Sequence, residues 1–300
     1  MITCCCMLLL LVTLVTGASS DCDACVAGRC HFRKPIFTGF PVTDQLAIDR
    51  TENILYLQLY ENQNIAIFLD DLQIRLVNVM RTSGRAFDQQ SRVLYLGTKE
   101  VNDTFYKYDI VSNKTEAISI EDHDRKPDFM FYGYNRLHFI DKNRHSMYFY
   151  NTAENSVYHY NMLVNNSISH FVFSGKNLLI VSNETLYYYD IDDDGVTEIR
   201  NGNYVLSVDK NDNVYLGNST DRTIYKRDSS TGALDLYAYY NSGLIEDFVF
   251  EKNDHVVFRE ADGSVAQWVP TFPQKLCSVE PPHSGYFIRQ MENVDDSCIN

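Results

Sequence analysis

The stretch LSVDKNDNVYLGNSTDRTIYKRD, from Leu206 to Asp228, recurs in weaker copies along almost the whole chain, and that recurrence constrains the fold more than any other feature. Leu206 and Val208 alternate with polar neighbours, an Asp/Asn-rich turn runs from Asp209 to Asn213, and Val214 to Leu216 open a second strand. A polar turn then leads to a third strand at Ile224 and Tyr225. Alternation of period two, broken by Asp, Asn and Gly clusters, marks antiparallel strands joined by tight turns. Aligned on the apolar residue just before the turn, the copies stand at Ile48, Phe87, Phe131, Phe173, Val208 and Phe250. The later halves of the units recur as hairpins, such as MYFYNTAENSVYHY and TLYYYDIDDDGVTEI. A mean spacing of about 40 residues is the length of a four-stranded blade, so the sequence predicts an all-β fold, a six-bladed β-propeller.

Residues 21–277 read as one propeller domain, because closed β architectures reach about 250 residues as a single unit. The segment RCHFRKPIFTG, Arg29 to Gly39, stands before the first full repeat as a lone strand. The last repeat stops early, at Gln267, Trp268 and Val269, ahead of Pro270 and Pro273. The two observations are complementary: an N-terminal strand that completes the last blade closes the ring and leaves no sheet edge open. Residues 278–300 have no repeat character and read as a loosely ordered tail.

Residues 1–20, MITCCCMLLLLVTLVTGASS, read as a signal peptide cleaved between Ala18 and Asp21, with an apolar core that ends in small residues. The run is shorter than the roughly 20 residues needed to span a bilayer. Cleavage leaves Cys22, Cys25, Cys30, Cys277 and Cys298 as disulfide candidates in an oxidising compartment. Pairing of an N-terminal cysteine with Cys277 would staple the ring shut, worth about 5 kcal/mol by chain entropy. A redox pair at Cys22 and Cys25 is the alternative, but it lacks the surrounding βαβ pattern. Asn102, Asn113, Asn165, Asn183 and Asn218 head Asn-x-Ser/Thr sequons, as expected of a secreted glycoprotein.

The formal net charge of −14 disfavours nucleic acid and anionic membrane surfaces as partners. The chain has no GxSxG elbow, HExxH, phosphate-cradling glycine loop or paired CxxC zinc set, so it reads as non-enzymatic and without a cofactor. Asp190, Asp192 and Asp194 before Gly195 mimic half a calcium loop, yet Asn201 stands where its bidentate Glu belongs, and a hairpin turn explains them better. His123, between Asp122 and Asp124, has no further ligand in sequence reach.

Propeller ligands sit over the central channel, near the residues just before the six apolar anchors. Those residues are Asp44 and Gln45, Gly84 and Arg85, Asp128, Ser169 and His170, Tyr204, and Glu246 with Asp247. Among them Gln45, Arg85, Asp128, His170, Tyr204 and Asp247 are the ligand-binding candidates. Arg85 and His170 are expected to oppose a ligand carboxylate, and Tyr204 to stack on its ring.

The start DCDACVAGRC, the D-x-x-x-N-x-[ILV]-Y-type repeats (Asp49 to Tyr56, Asp209 to Tyr215) and the lone Cys277 after the last repeat resemble the secreted ommochrome-binding proteins of moths and butterflies. The resemblance covers about Cys22 to Cys277, and the chain departs from it in a tail carrying Cys298. It implies a haemolymph carrier for a tryptophan-derived phenoxazinone pigment such as xanthommatin. Two other classes compete. One is a calcium-dependent, lactonase-like hydrolase with Asp44, Asp128 or Glu246 on the metal; the other is an extracellular module whose face docks another protein.

Overall fold

A computed structural model describes residues 22–60, 62–98, 105–118, 127–141, 143–151, 154–160, 167–191, 195–241 and 243–277. The expected signal peptide, His123, Asn102, Asn165, Asp192, Asp194 and the tail with Cys298 lie outside the described residues. No helix among those residues is long and apolar enough to cross a membrane.

A hairpin of β1 (Ala24–Val26) and β2 (Arg29–Phe37) comes first. Four separate antiparallel sheets of four strands follow. The first holds β3 (Val42–Asp49), β4 (Ile54–Leu59), β5 (Gln63–Phe68) and β6 (Gln73–Met80). The second holds β7 (Thr82–Asp88), β8 (Val93–Thr98), β9 (Phe105–Asp109) and β10 (Lys114–Ile118). The third holds β11 (Pro127–Gly133), β12 (Arg136–Asp141), β13 (Met147–Asn151) and β14 (Ser156–His159). The fourth holds β15 (Ile168–Ser174), β16 (Asn177–Ser182), β17 (Thr185–Asp190) and β18 (Gly195–Asn201).

The remaining strands are β19 (Tyr204–Val208), β20 (Val214–Asn218), β21 (Thr223–Arg227), β22 (Leu234–Tyr240), β23 (Ile245–Phe250), β24 (Val256–Glu260) and β25 (Val265–Pro270). They join the N-terminal hairpin in a nine-stranded sheet of order β19-β20-β21-β22-β1-β2-β25-β24-β23. The first strands of these runs touch in cyclic order, β3 to β7, β11, β15, β19, β23 and back to β3. The architecture is an all-β propeller of repeated four-stranded sheets, as the repeat spacing predicts.

The expected closure is present. Strand β2 pairs antiparallel with β25, from His31 opposite Pro270 to Lys34 opposite Gln267, so the early chain completes the late sheet. Cys25 is bonded to Cys277 and Cys22 to Cys30, which rules out the redox pairing of Cys22 with Cys25. Two structural disulfides are typical of proteins that fold in an oxidising compartment.

Recurring acids shape the turns. The Asp209 carboxylate accepts from the backbone N–H of Asn211 (2.8 Å) and Asn213 (3.0 Å), from the Asn213 amide (2.7 Å) and from the Tyr215 hydroxyl (3.1 Å). Asp49, Asp88 and Glu251 each accept two turn N–H groups in the same way. All four acids are buried, so these bonds replace the hydration that burial removes. Near the end of each of these turns one residue takes positive φ: Asn53, Arg92, Asp212 and Asp254. At the Asp190 turn the strands β17 and β18 form the hairpin that the sequence favours, with Asp190 opposite Gly195. Asn113 and Asn183 are exposed at turns, whereas Asn218 is buried and its amide nitrogen donates to Asp221 at 3.0 Å.

The apolar core lies between neighbouring sheets. Tyr56 of β4 stacks on Phe87 of β7 at 5.6 Å, Phe105 of β9 meets Phe139 of β12 at 5.1 Å, and Tyr215 of β20 meets Phe250 of β23 at 4.4 Å. The first strands meet one another in cyclic order, which carries their early residues to the ring axis.

Loop size ranks the two disulfides. Replacing Cys25 and Cys277 together by Ser removes a cross-link over 252 residues and is expected to lower urea-measured stability by about 5 kcal/mol. Replacing Cys22 and Cys30, which span 8 residues, should cost about half as much.

Candidate functional site

A cavity of about 530 Å³ opens at the axis where the first strands begin. The first strands of five runs are bulged near their starts, between Thr43 and Ala47, Thr82 and Arg85, Pro127 and Phe129, Ile168 and His170, and Ile245 and Asp247. Bulges bend a strand and re-aim its side chains. In four of these strands the residues at or beside the bulge, Asp44, Gln45, Asp128, Ser169, His170, Glu246 and Asp247, line the cavity. Asp44 adopts φ of 61°, a left-handed conformation unusual outside glycine.

The cavity therefore assembles Gln45, Asp128, His170 and Asp247 from the expected set, and leaves out two. Strand β19 pairs with β20 without a register shift, so Tyr204 stays in regular alternation and is buried between sheets with Leu179, Leu206 and Leu216. Its hydroxyl donates to the Asn201 carbonyl at 3.4 Å, and it stacks on nothing in the channel. Arg85 is fully buried; its guanidinium donates to the Gln45 carbonyl and, at 3.2 Å, to the Gln58 side chain. It faces away from the cavity and cannot oppose a ligand there. Gln45 is occupied as well: its amide donates to the Met130 carbonyl at 2.6 Å and accepts from Met130 N–H at 3.1 Å. Gln45, Arg85 and Asp247 thus form a partition across the axis.

Two cations at the mouth come from outside the first strands, Arg144 from the β12–β13 turn and Arg259 from β24. Arg144 donates to Asp128 at 2.7 Å, and Arg259 pairs with Glu246. With Asp44, Asp247 and Asp262, the mouth holds five carboxylates against two guanidiniums. Its field is negative, opposite to the expected carboxylate-holding pair.

Asp247 accepts the Leu46 N–H, and burial pushes its carboxyl up to about 6 against the pull of Arg259 and Arg85. His170 is lowered to about 4 by burial, with Arg144 and Arg259 adding repulsion, so its imidazole is neutral at pH 7. The Nδ1 of His170 and the Nε of Arg259 are both enclosed without a hydrogen-bond partner. His170 packs edge-on to Phe129 at 5.2 Å, which supplies an aromatic wall. The site thus offers carboxylates, one open guanidinium N–H and an aromatic edge. Among the described residues no group of three or more His, Cys, Asp or Glu side chains stands close enough to hold a metal ion.

Neither protein-family models nor curated protein sequences match the chain. Solved structures do. A gluconolactonase from Xanthomonas campestris superposes with a TM-score of 0.65 at 12% identity, covering 83% of this chain and 95% of that one. A streptogramin B lyase gives 0.56 at 10% identity, over 81% and 99% of the two chains. The WD40 β-propeller domain of Doa1 gives 0.56 at 10% identity, over 83% and 97%. At such identities the likeness concerns the fold alone, and it places the chain among β-propellers.

Asp247 gives the site a pH signature. Its folded pKa lies above the unfolded value of about 3.9, so its contribution to stability is full below that value and is lost as pH rises through about 6. Asp247→Asn should therefore be more stable than the parent at pH 7.5, by about 2 to 3 kcal/mol, and equal to it near pH 3.5. Paired urea titrations at the two pH values measure this.

Proposed function

We propose that this protein is a secreted, six-bladed propeller that carries a planar aromatic metabolite with an amino-acid head group at its upper channel mouth. The observation that supports the reading is the pairing of opposite demands in one cavity of about 530 Å³. The surplus carboxylates and the bare His170 Nδ1 suit an ammonium, the unpartnered Arg259 Nε suits a carboxylate, and Phe129 with His170 suits a ring. Mostly preformed pockets with a few convergent polar groups are the usual form of small-molecule sites. The six-blade count takes the two halves of the nine-stranded sheet as separate blades joined by β1.

A tryptophan-derived ommochrome such as xanthommatin is the leading ligand, with haemolymph as its compartment and sequon glycans on the outer turns. In this reading the ammonium lies toward Asp44 and Asp247 and the carboxylate toward Arg259. The protein needs neither a catalytic group nor a cofactor for that role, and nucleic acid and membrane are not its partners. A calcium-dependent lactonase is the second reading; the gluconolactonase-like fold favours it, and lactone hydrolysis abolished by a chelator would establish it.

Equilibrium dialysis with xanthommatin, tryptophan, tryptamine and indole-3-propionate tests the carrier. Tryptophan should bind about tenfold more tightly than either analogue lacking one charge, and Arg259→Ala should erase the advantage over tryptamine alone. Absence of xanthommatin binding, or equal affinity for all three indoles, would overturn the reading.

A further inference from the structure

The first-to-second-strand turns close the opposite end of the ring, and two of them break the acid-capped pattern. The turns after β3, β7, β19 and β23 carry Asp49, Asp88, Asp209 and Glu251. Strands β11 and β12 are joined only by Tyr134 and Asn135, and β15 and β16 only by residues 175 and 176. At this gap a second cavity of about 290 Å³ opens, walled by Phe131, Tyr132, Tyr134 and Phe173. Tyr134 is held at φ of 49° and is 42% exposed, so a large ring stands at the rim in a conformation a smaller residue would occupy at less cost.

The inner end of this cavity carries a buried guanidinium whose charge is offset by the nearby carboxylates of Asp44 and Asp247. Arg85 lines it, is fully buried, and among the described residues its guanidinium donates to neutral oxygens, the Gln45 carbonyl and the Gln58 amide. Its Nε has no partner. A buried cation with an open N–H is stabilised by an anion that reaches it. Arg50 adds a second guanidinium near the mouth, steadied by the carbonyls of Phe250 (3.2 Å) and Val208.

We propose that this lower cavity is a second binding site, for a small planar aromatic carboxylate whose ring lies among Phe131, Tyr132, Tyr134 and Phe173 and whose carboxylate meets Arg85 Nε. The volume suits a single-ring acid and is too small for a fused three-ring pigment. A guanidinium is the natural partner for a carboxylate, and aromatic walls supply the remaining contact. The partition of Gln45, Arg85 and Asp247 separates it from the upper mouth, so the assignment stands independently of the carrier reading.

Methyl-resolved NMR titration of the whole protein with benzoate, using benzamide as the uncharged comparator, tests the site. Benzoate is expected to bind with a dissociation constant of about 0.1 mM, to shift the methyls of Met130, Leu206 and Val249, and to leave Val42 unmoved. Benzamide should bind about tenfold more weakly. Arg85→Gln removes the donor; because that change also loosens the partition, Tyr134→Gly, which relieves the backbone at the rim, serves as the second variant and should weaken benzoate about fivefold. Saturating tryptophan, the probe of the upper mouth, should leave the benzoate isotherm unchanged. Equal binding of benzamide, shifts confined to Val42, displacement by tryptophan, or no binding at millimolar benzoate would each overturn the proposal.

Discussion

The ladder between β2 and β25 is the interaction on which the rest of the structure depends. Four-stranded sheets of this kind bury apolar side chains only against their neighbours, so each inter-sheet core needs a ring without a gap. The hydrogen bonds from His31 to Phe37 with Val265 to Pro270 supply the missing outer strand, and β1 extends the pairing to β22. The Cys25–Cys277 bond fixes the same join covalently. At the axis, Gln45 ties β3 to β11, Arg85 ties β7 to β3, and Asp247 ties β23 to β3, so closure at the rim is matched by ties at the hub.

Much of this was legible from residue order. The repeat anchors, the solitary early strand and the short last repeat together implied closure, and Asp209 with its counterparts implied hairpins. The mouth was legible only in part. Gln45, Asp128, His170 and Asp247 each precede their anchor by three residues, opposite in parity to the anchors packed between sheets. Arg85 and Tyr204 precede theirs by two and four, the parity of the interior, and that difference was available as a signal. The bulges that aim the mouth residues left no composition cue, and β19 has none. Arg144 and Arg259 were missed because they reach the mouth from a turn and a second strand that no local pattern connects to it.

The two ends of the ring differ in chemistry for a structural reason. Where the first strands begin, bulges present carboxylates to the mouth, and two of these carboxylates are matched by arginines. Where they end, the acids are turned inward to cap their own turns and are withdrawn from the cavity. The lining there is largely aromatic and aliphatic, with Arg50 and Arg85 matched in number by Asp212 and Asp247. One set of acidic residues thus makes one mouth acidic, while the other set, by serving the backbone, leaves its end largely apolar, with two arginines against two aspartates.

The pairing of β2 with β25 also dictates an order of events on the ribosome. The early hairpin leaves the exit tunnel long before its partner strand is made, and non-local pairing of this kind is slow and exposes unpaired edges meanwhile. The short Cys22–Cys30 loop can form at once, which withdraws these two thiols from wrong partners and leaves Cys25 to await Cys277. The local bond therefore acts as a placeholder during synthesis, keeping the correct thiol in reserve for the last joining step.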